Sequence, residues 1–498
     1  MTTGPNDLDI DRAREAGLER ATTAGATHAE VRVETIRSQY LSMRDSDVES
    51  TGDDVETGLS VRVVYDGAIG FAATVEIGPS AATRLVDEAI ASARATARAR
   101  GRRVELAPEP SYGRVEWHSP YVVDPTEIPL REKVAFFKAL SEPVLAEEGV
   151  DHVFARVATT REEKYYADLN GTVTDQHRVR LHAAVEALAV ADDGSFETMR
   201  TIAPPVGRGW EHLEGDGYDF TGEVSALATQ LREKVESPSV EPGQYDLVID
   251  PSNLWLTIHE SIGHATELDR ALGYEAAYAG TSFATIDKLG VLQYGSPIMN
   301  VTGDRTARHG LATIGWDDEG VEAQSFDIVR DGMLVGYQLD RSIAAEAGFE
   351  RSNGCAYASS PLFIPIQRMA NVSLAPSKTD DASTGMLIAE VERGIFIVGD
   401  KSWSIDMQRY NFQFTGQRFY RIENGEIVGQ LRDVAYQATT TEFWGSMTRL
   451  GGPSTYVLGG AVNCGKGQPG QSAPVSHGCP SALFRNVAVL NARAESGQ

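Results

Sequence analysis

Apolar residues first show a period in residues 9–24, where Ile10, Ala13, Leu18 and Ala21 fall at helical spacing. Residues 29–42 change to a strand-like pattern. Residues 59–65 and 68–75 read as a hairpin around Asp66-Gly67, a pair that tolerates the positive φ of a two-residue turn. Residues 80–100 predict an alanine-rich helix with Ser80 as its N-cap. Proline and turn formers dominate 107–129, a helix follows over 130–148, and two strands meet at Asn170-Gly171, the second reaching Val190. A helix over 222–235 ends in Ser237-Pro-Ser-Val-Glu-Pro-Gly243, the best linker in the chain, which separates a domain 1–240 from a domain 241–498.

Strands prevail beyond the linker. A strand over 245–250 leads through Pro251-Ser252-Asn253 into a helix over about 254–264, the only clear helix of this half. Hairpins are expected at Asp331-Gly332, joining 326–330 to 333–339, and at Asn424-Gly425, joining 419–423 to 426–431. Residues 410–415 alternate aromatic and polar, as a half-buried strand does, and 400–406 just before them is a candidate cleft rim. The fold class is α+β: an N-terminal α/β domain with hairpins and helices, then a C-terminal β-rich domain, barrel or sandwich-like, with a metal-binding helix at its start.

Composition narrows the partners. With 71 acidic against 45 basic residues the net charge is −26, which repels nucleic-acid phosphates and anionic lipid surfaces alike. No apolar run reaches membrane-spanning length, and the N-terminus carries no basic or apolar secretory stretch. Cys355, Cys464 and Cys479 are widely spaced and odd in number, which fits a reducing compartment. A soluble cytoplasmic protein is expected, with no nucleic-acid and no membrane partner.

The chemistry sits on the early helix of the second half, in His259-Glu260-Ser261-Ile262-Gly263-His264. Two imidazoles can hold a divalent ion while an adjacent carboxylate takes a proton from water. At i and i+4 two histidines stand about 40° apart on a regular helix; at i and i+5 they stand about 140° apart. One ion can be shared only if the helix widens or ends, and Gly263 is where that distortion costs least. The plain alternative is two helix histidines satisfied by backbone or solvent, with Glu260 a solvated charge. A catalytic zinc needs a third protein ligand. Cys464, Cys479, Cys355, His309, His477 and Glu267 are candidates, and Cys464 stands out for its glycine-rich surroundings, although a lone cysteine is more often a small buried hydrophobe. The GxGxxG string at 465–470 is rejected as a dinucleotide site, because Pro469 and Pro474 oppose the helix such a site requires.

His259-Glu-Ser-Ile-Gly-His264 with the following Ala-Thr-Glu-Leu-Asp269 resembles the HExxxH motif of the TldD–PmbA family. So do Trp403-Ser-Ile-Asp-Met-Gln-Arg-Tyr-Asn-Phe-Gln-Phe414, Asn463-Cys-Gly-Lys-Gly-Gln-Pro469 and Val475-Ser-His-Gly-Cys-Pro480, in order along nearly the whole chain and on the motif-bearing TldD-like side. The resemblance implies a zinc metallopeptidase that trims unfolded or modified peptides. It implies a homodimer, or a heterodimer with a motif-less PmbA/TldE-like paralogue, around an interior cleft. It also implies that His259, His264 and Cys464 bind zinc (Zn2+) and that Glu260 is the general base. Two other readings stand beside it: a non-catalytic peptide- or partner-binding scaffold with a structural metal site, and a metal-free hydrolase using Cys464 with His477 as base.

Overall fold

Alternation along the first long strand decides how the N-terminal half is layered. In β1 (His28–Arg44) Val31, Val33, Leu41 and Met43 are buried toward one face, while Glu30, Arg32 and Glu34 are buried toward the other. The computed structural model describes residues 7–97, 103–190 and 196–495, so the predicted helical residues 98–100 fall outside the described residues. β1 pairs with β2 (Asp47–Tyr65) and β5 (His152–Asp168). The sheet is completed by β3 (Ala68–Thr74), β4 (Arg114–His118), β6 (Val173–Val190) and β7 (Phe196–Arg200), in the order β3-β2-β1-β5-β6-β4 with β7 beside β6. Among the described strands of this sheet only β4 with β6 is parallel.

The apolar face of the sheet is covered twice. The helices α1 (Asp7–Ala24) and α2 (Pro79–Ala97) pack Ala13, Leu85 and Ala89 on Val31, Val33 and Val61. The helices α3 (Leu130–Leu145) and α4 (Phe220–Glu236) pack Phe137, Phe220 and Leu227 on Leu41, Val157 and Val185. Two details differ from the sequence reading. α2 opens at Pro79, a residue preorganised for the first helical position, so Ser80 lies inside the helix rather than capping it. β2 begins at Asp47, because its acidic first half pairs with β1 although both its faces are exposed and carry no alternation.

The charged face of the sheet is buried against residues from the second half of the chain. Arg62 bridges Glu30 and Glu319, while Lys164 meets Asp318 at 2.8 Å and Glu34 at 3.2 Å. Tyr357 donates to Glu162 (2.9 Å), and its ring lies 4.1 Å from the Lys164 ammonium. Burial alone would raise the Glu30 carboxyl, yet Arg62 and His28 outweigh it and bring it down to about 2.

After the linker, β8 (Gly243–Ile249) enters a closed five-stranded barrel. Its neighbours in order are Arg393–Ile405, β8, Ala482–Asn491, Val434–Thr439 and Asn411–Glu423, and the last pairs back with the first. Ile249, Ile397, Phe412, Phe414, Tyr436 and Phe484 belong to its core, so the aromatic alternation of 410–415 is core packing. β8 runs directly into α5 (Pro251–Ile258), capped by Asp250, whose carboxylate accepts from the Ser252 amide at 3.0 Å. Asn253 Nδ2 donates to the carbonyls of Gly399 and Thr415, both at 2.9 Å, and ties α5 to two barrel strands. The hairpin strand expected to reach 339 stops at Leu334, and short helices at Arg341–Ala347, Thr384–Ala389 and Thr440–Gly445 join the one foreseen. Among the described residues no helix is long and apolar enough to cross a membrane.

Replacing Arg62 with Met leaves Glu30 and Glu319 buried without their counter-charge, with an expected loss of about 3–5 kcal/mol at pH 7 in urea unfolding. Glu30 is lowered from its ordinary 4.5 to about 2, so its contribution is complete above pH 4.5 and disappears as pH falls toward 2. The gap between wild type and variant should narrow over that window.

Candidate metal centre

The helix changes pitch at Ile258. His259–Gly263 forms a π turn closed by the His264 N–H donating to the His259 carbonyl, and His264–Thr266 follows as a 3-10 turn. This is the distortion the i, i+5 spacing demands: the wider turn brings the two imidazole centroids to 4.7 Å. Such a turn leaves carbonyls without intrahelical donors, and side chains supply them. The Tyr294 hydroxyl donates to Ser261, the Thr266 hydroxyl to Ile262 (2.8 Å) and Gln338 Nε2 to Gly263 (2.7 Å). Gly263 has an ordinary helical φ of −53°, so conformational freedom is not its contribution. It provides room: a Cβ there would sit 2.6 Å from the Met369 sulfur.

Cys464 comes from a separate element. Among the described residues the strand Val457–Lys466 pairs only with Gln471–Cys479, and their register shifts between Ala461 and Cys464, a bulge of the kind that re-aims a side chain. Gly459 lets this ribbon lie on α5, because a Cβ would come within 2.5 Å of the Trp255 indole. Cys464 Sγ is then 3.5 Å from His264 Nε2. Ligand atoms of His259, His264 and Cys464 all lie within 4.8 Å of one another, and each residue is 5% exposed. Zinc at its usual bond lengths to two nitrogens and one sulfur separates those donors by roughly 3.3–3.6 Å. The donor set fits a tetrahedral, thiolate-tolerant ion with one position left over.

The outer contacts fix which nitrogen of each ring is available. His477 Nδ1 faces the Val372 carbonyl at 2.8 Å and so carries the hydrogen, leaving its Nε2 to accept from His259 Nδ1 at 2.7 Å. His264 Nδ1 donates to Glu267 Oε2 at 2.8 Å. Both rings therefore keep an unprotonated Nε2, the arrangement typical of metal-binding histidines. Burial pushes both imidazoles below their usual range, in favour of the neutral form. Burial would raise the Cys464 thiol, but His264 and Arg368 outweigh it and lower it. Burial would likewise raise Glu267, which Lys466 (3.1 Å) and His264 hold well below the carboxylate range.

Glu267 and His477, both weighed as third ligands, thus hold the two imidazoles from behind. Cys479 points its thiol at the Pro251 carbonyl (3.7 Å), burial pushes the Cys355 thiol up to about 12, and His309 sits on a loop against Gly207. Cys464 and His477 are not brought together as nucleophile and base, since His477 Nε2 is engaged by His259. The GxGxxG string is the turn of the ribbon, with no helix after it.

Two residues escaped sequence reasoning. Arg409 Nη1 meets Glu260 Oε2 at 2.8 Å. Arg409 has a φ of +63° and is locked there by Asp406, which accepts from the amides of Gln408 and Tyr410, and by Thr440, whose hydroxyl donates to the Arg409 carbonyl. Lys466 is fully buried and bridges Glu267 to Asp269. Nothing in the local pattern around either residue points at the helix it serves. His259, Glu260, His264 and Cys464 open onto a cleft of about 460 Å³, walled by His182 and residues 200–205 of the first half and by Trp255, Asp400, Trp403 and residues 459–465 of the second.

The family model described as PmbA/TldA metallopeptidase C-terminal domain matches residues 242–491, and PmbA/TldA metallopeptidase domain 1 matches 29–93. A metalloprotease of Methanothermobacter thermautotrophicus is 27% identical, covering 93% of this chain and 95% of its own length. A zinc metalloprotease TldD homolog of Saccharolobus solfataricus is 22% identical over 95% of this chain and 98% of its own. In fold the chain is similar to a putative modulator of DNA gyrase from Thermotoga maritima, at TM-score 0.74 and 16% identity, covering 96% of this chain and 100% of that one. It is similar also to TldE from Thermococcus kodakarensis, at TM-score 0.69 and 16% identity, covering 96% and 99%.

Glu267→Gln keeps an acceptor beside His264 but removes the charge. Zinc affinity, measured by competition with a chelator, should fall about 10–100-fold with the stoichiometry at saturation unchanged.

Proposed function

Because the chain belongs to the PmbA/TldA metallopeptidase family, we propose that it is a zinc-dependent peptidase acting on unfolded or modified peptides. In this reading His259, His264 and Cys464 hold the ion, Glu260 is the general base, and the HExxxH helix is the catalytic element. The observation that carries the reading is the π turn, which would be a costly irregularity in a helix with no ion to share. Bound zinc supplies Lewis-acid activation of water and of the scissile carbonyl. Glu260 takes at its carboxylate the proton of the water that attacks the carbonyl carbon, and returns it to the amine nitrogen as the C–N bond breaks. Arg409 grips Oε2, so Oε1 is the oxygen outside that pair, and the guanidinium fixes the carboxylate's orientation. Domains 1–240 and 241–498 both wall the cleft, and substrate lies in it as an extended strand. Among the described residues the strand Val457–Lys466 has one side unpaired, which suits sequence-tolerant main-chain pairing. The chain works in the cytoplasm as a homodimer or with a PmbA/TldE-like paralogue, which closes the cleft.

Metal content by plasma mass spectrometry tests the site: about one zinc per chain, lost in both His264→Ala and Cys464→Ala. A well-folded chain that takes up no zinc on reconstitution overturns the peptidase reading and favours the scaffold; zinc retained in Cys464→Ala removes the thiolate from the ligand set. Glu260→Ala should keep its zinc and lose cleavage of an unfolded peptide, assayed alone and with the paralogue. Arg409→Lys should lower kcat roughly tenfold or more with zinc content and KM unchanged.

A further inference from the structure

The two helix pairs on the N-terminal sheet pack into separate apolar clusters. Where the helical layer is interrupted, β1 presents Arg37 and Gln39, and a second cavity of about 250 Å³ opens beside the start of α3. It shares no lining residue with the catalytic cleft. Tyr40, Leu41, Ile128, Leu130 and Val157 give it an apolar wall, and Lys133 lines it as well.

Lys133 is 4% exposed. Its ammonium donates to Gln39 Oε1 at 2.7 Å and, at the limit of hydrogen bonding, to Thr159 Oγ1 at 3.5 Å; among the described residues it has no carboxylate partner. Asp53, an acid of the same cavity, is already held by Arg37 at 3.0 and 2.9 Å and by Gln39 Nε2 at 2.9 Å. Lys133 also stands in the first turn of α3, whose N-cap Pro129 makes no side-chain cap bond. A cation there has the wrong sign for the helix dipole. Desolvation, the neighbouring Arg37 charge and helix polarity therefore act against one side chain; Asp53 and Asp124 offset them only in part, and burial brings its ammonium down to about 8. A single anion in the cavity relieves all three.

The cavity's fixed charges set the class of that anion. Asp53 and Glu127 both pair with Arg37, which leaves Lys133 as the lining cation with no carboxylate in contact, so one negative charge finds a partner there and a second does not, and the apolar wall calls for an organic body. We propose that this cavity binds a small monocarboxylate with an apolar or aromatic body, its carboxylate paired with Lys133.

The test uses the zinc-loaded full chain, 3-phenylpropionate as the probe and 3-phenylpropanol as its uncharged counterpart, with binding followed by calorimetry. The carboxylate should bind and the alcohol should not. Lys133→Met should weaken binding at least tenfold, as loss of a charge-assisted contact does, while raising the unfolding midpoint without probe, because the uncompensated charge is gone. The His264→Ala chain, folded but zinc-free, should bind the probe as wild type. The proposal is overturned by absence of carboxylate binding, by binding that survives Lys133→Met or disappears with His264→Ala, or by a Lys133→Met chain that is less stable or fails to fold.

Discussion

A single backbone hydrogen bond, from the His264 amide to the His259 carbonyl, sets the geometry around which the candidate centre is built. It turns an unfavourable i, i+5 spacing into two imidazoles on one side of a helix. Much of the neighbouring architecture serves that bond. Asp250 starts the helix, Asn253 moors it to the barrel, and Tyr294, Thr266 and Gln338 satisfy the carbonyls it releases. Trp444 donates to the Ser261 hydroxyl from the barrel side at 2.9 Å and fixes the middle of the turn. An irregular turn persists only where its surroundings over-determine it.

The second constraint is electrostatic. The donors are neutral imidazoles and a lowered thiol in a buried site; the neutral His477 stands behind His259, and the charged Glu267 with Lys466 stands behind His264. Buried charge of this kind is costly to leave half-paired, so the cluster is tolerated only as a complete set. The same principle governs the seam between the two halves of the chain. The polar face of the N-terminal sheet is buried against Asp318, Glu319 and Tyr357 through ion pairs rather than apolar contacts. Such a seam has few alternative registers, because any slip strands a charge. The cleft walls that each half contributes are thereby set against one another.

Much of the fold follows from local pattern. Turn chemistry at Asp66-Gly67, Asn170-Gly171 and Asn424-Gly425 placed three hairpins, and helical periodicity placed α1, α3 and α4. Where periodicity was absent the elements were missed: the acidic first half of β2, and the short strands β4 and β7, carry no alternation long enough to read. The composition of the barrel strands was legible as strand, but nothing local specified that Arg393–Ile405 would meet both β8 and Asn411–Glu423 and close the sheet.

The sequence by itself determined the His-Glu-His spacing and the need for a distorted helix, because these depend only on residues within about one turn of each other. Tertiary structure decided everything that crosses the chain. His477 reaches His259 from 218 residues away, Cys464 reaches His264 from 200, and Arg409 reaches Glu260 from 149. Those distances are closed by barrel topology, by a bulge in a two-stranded ribbon and by a left-handed residue in a loop. None of these leaves a periodic signature, because each is the sum of many long-range contacts rather than of neighbouring side chains.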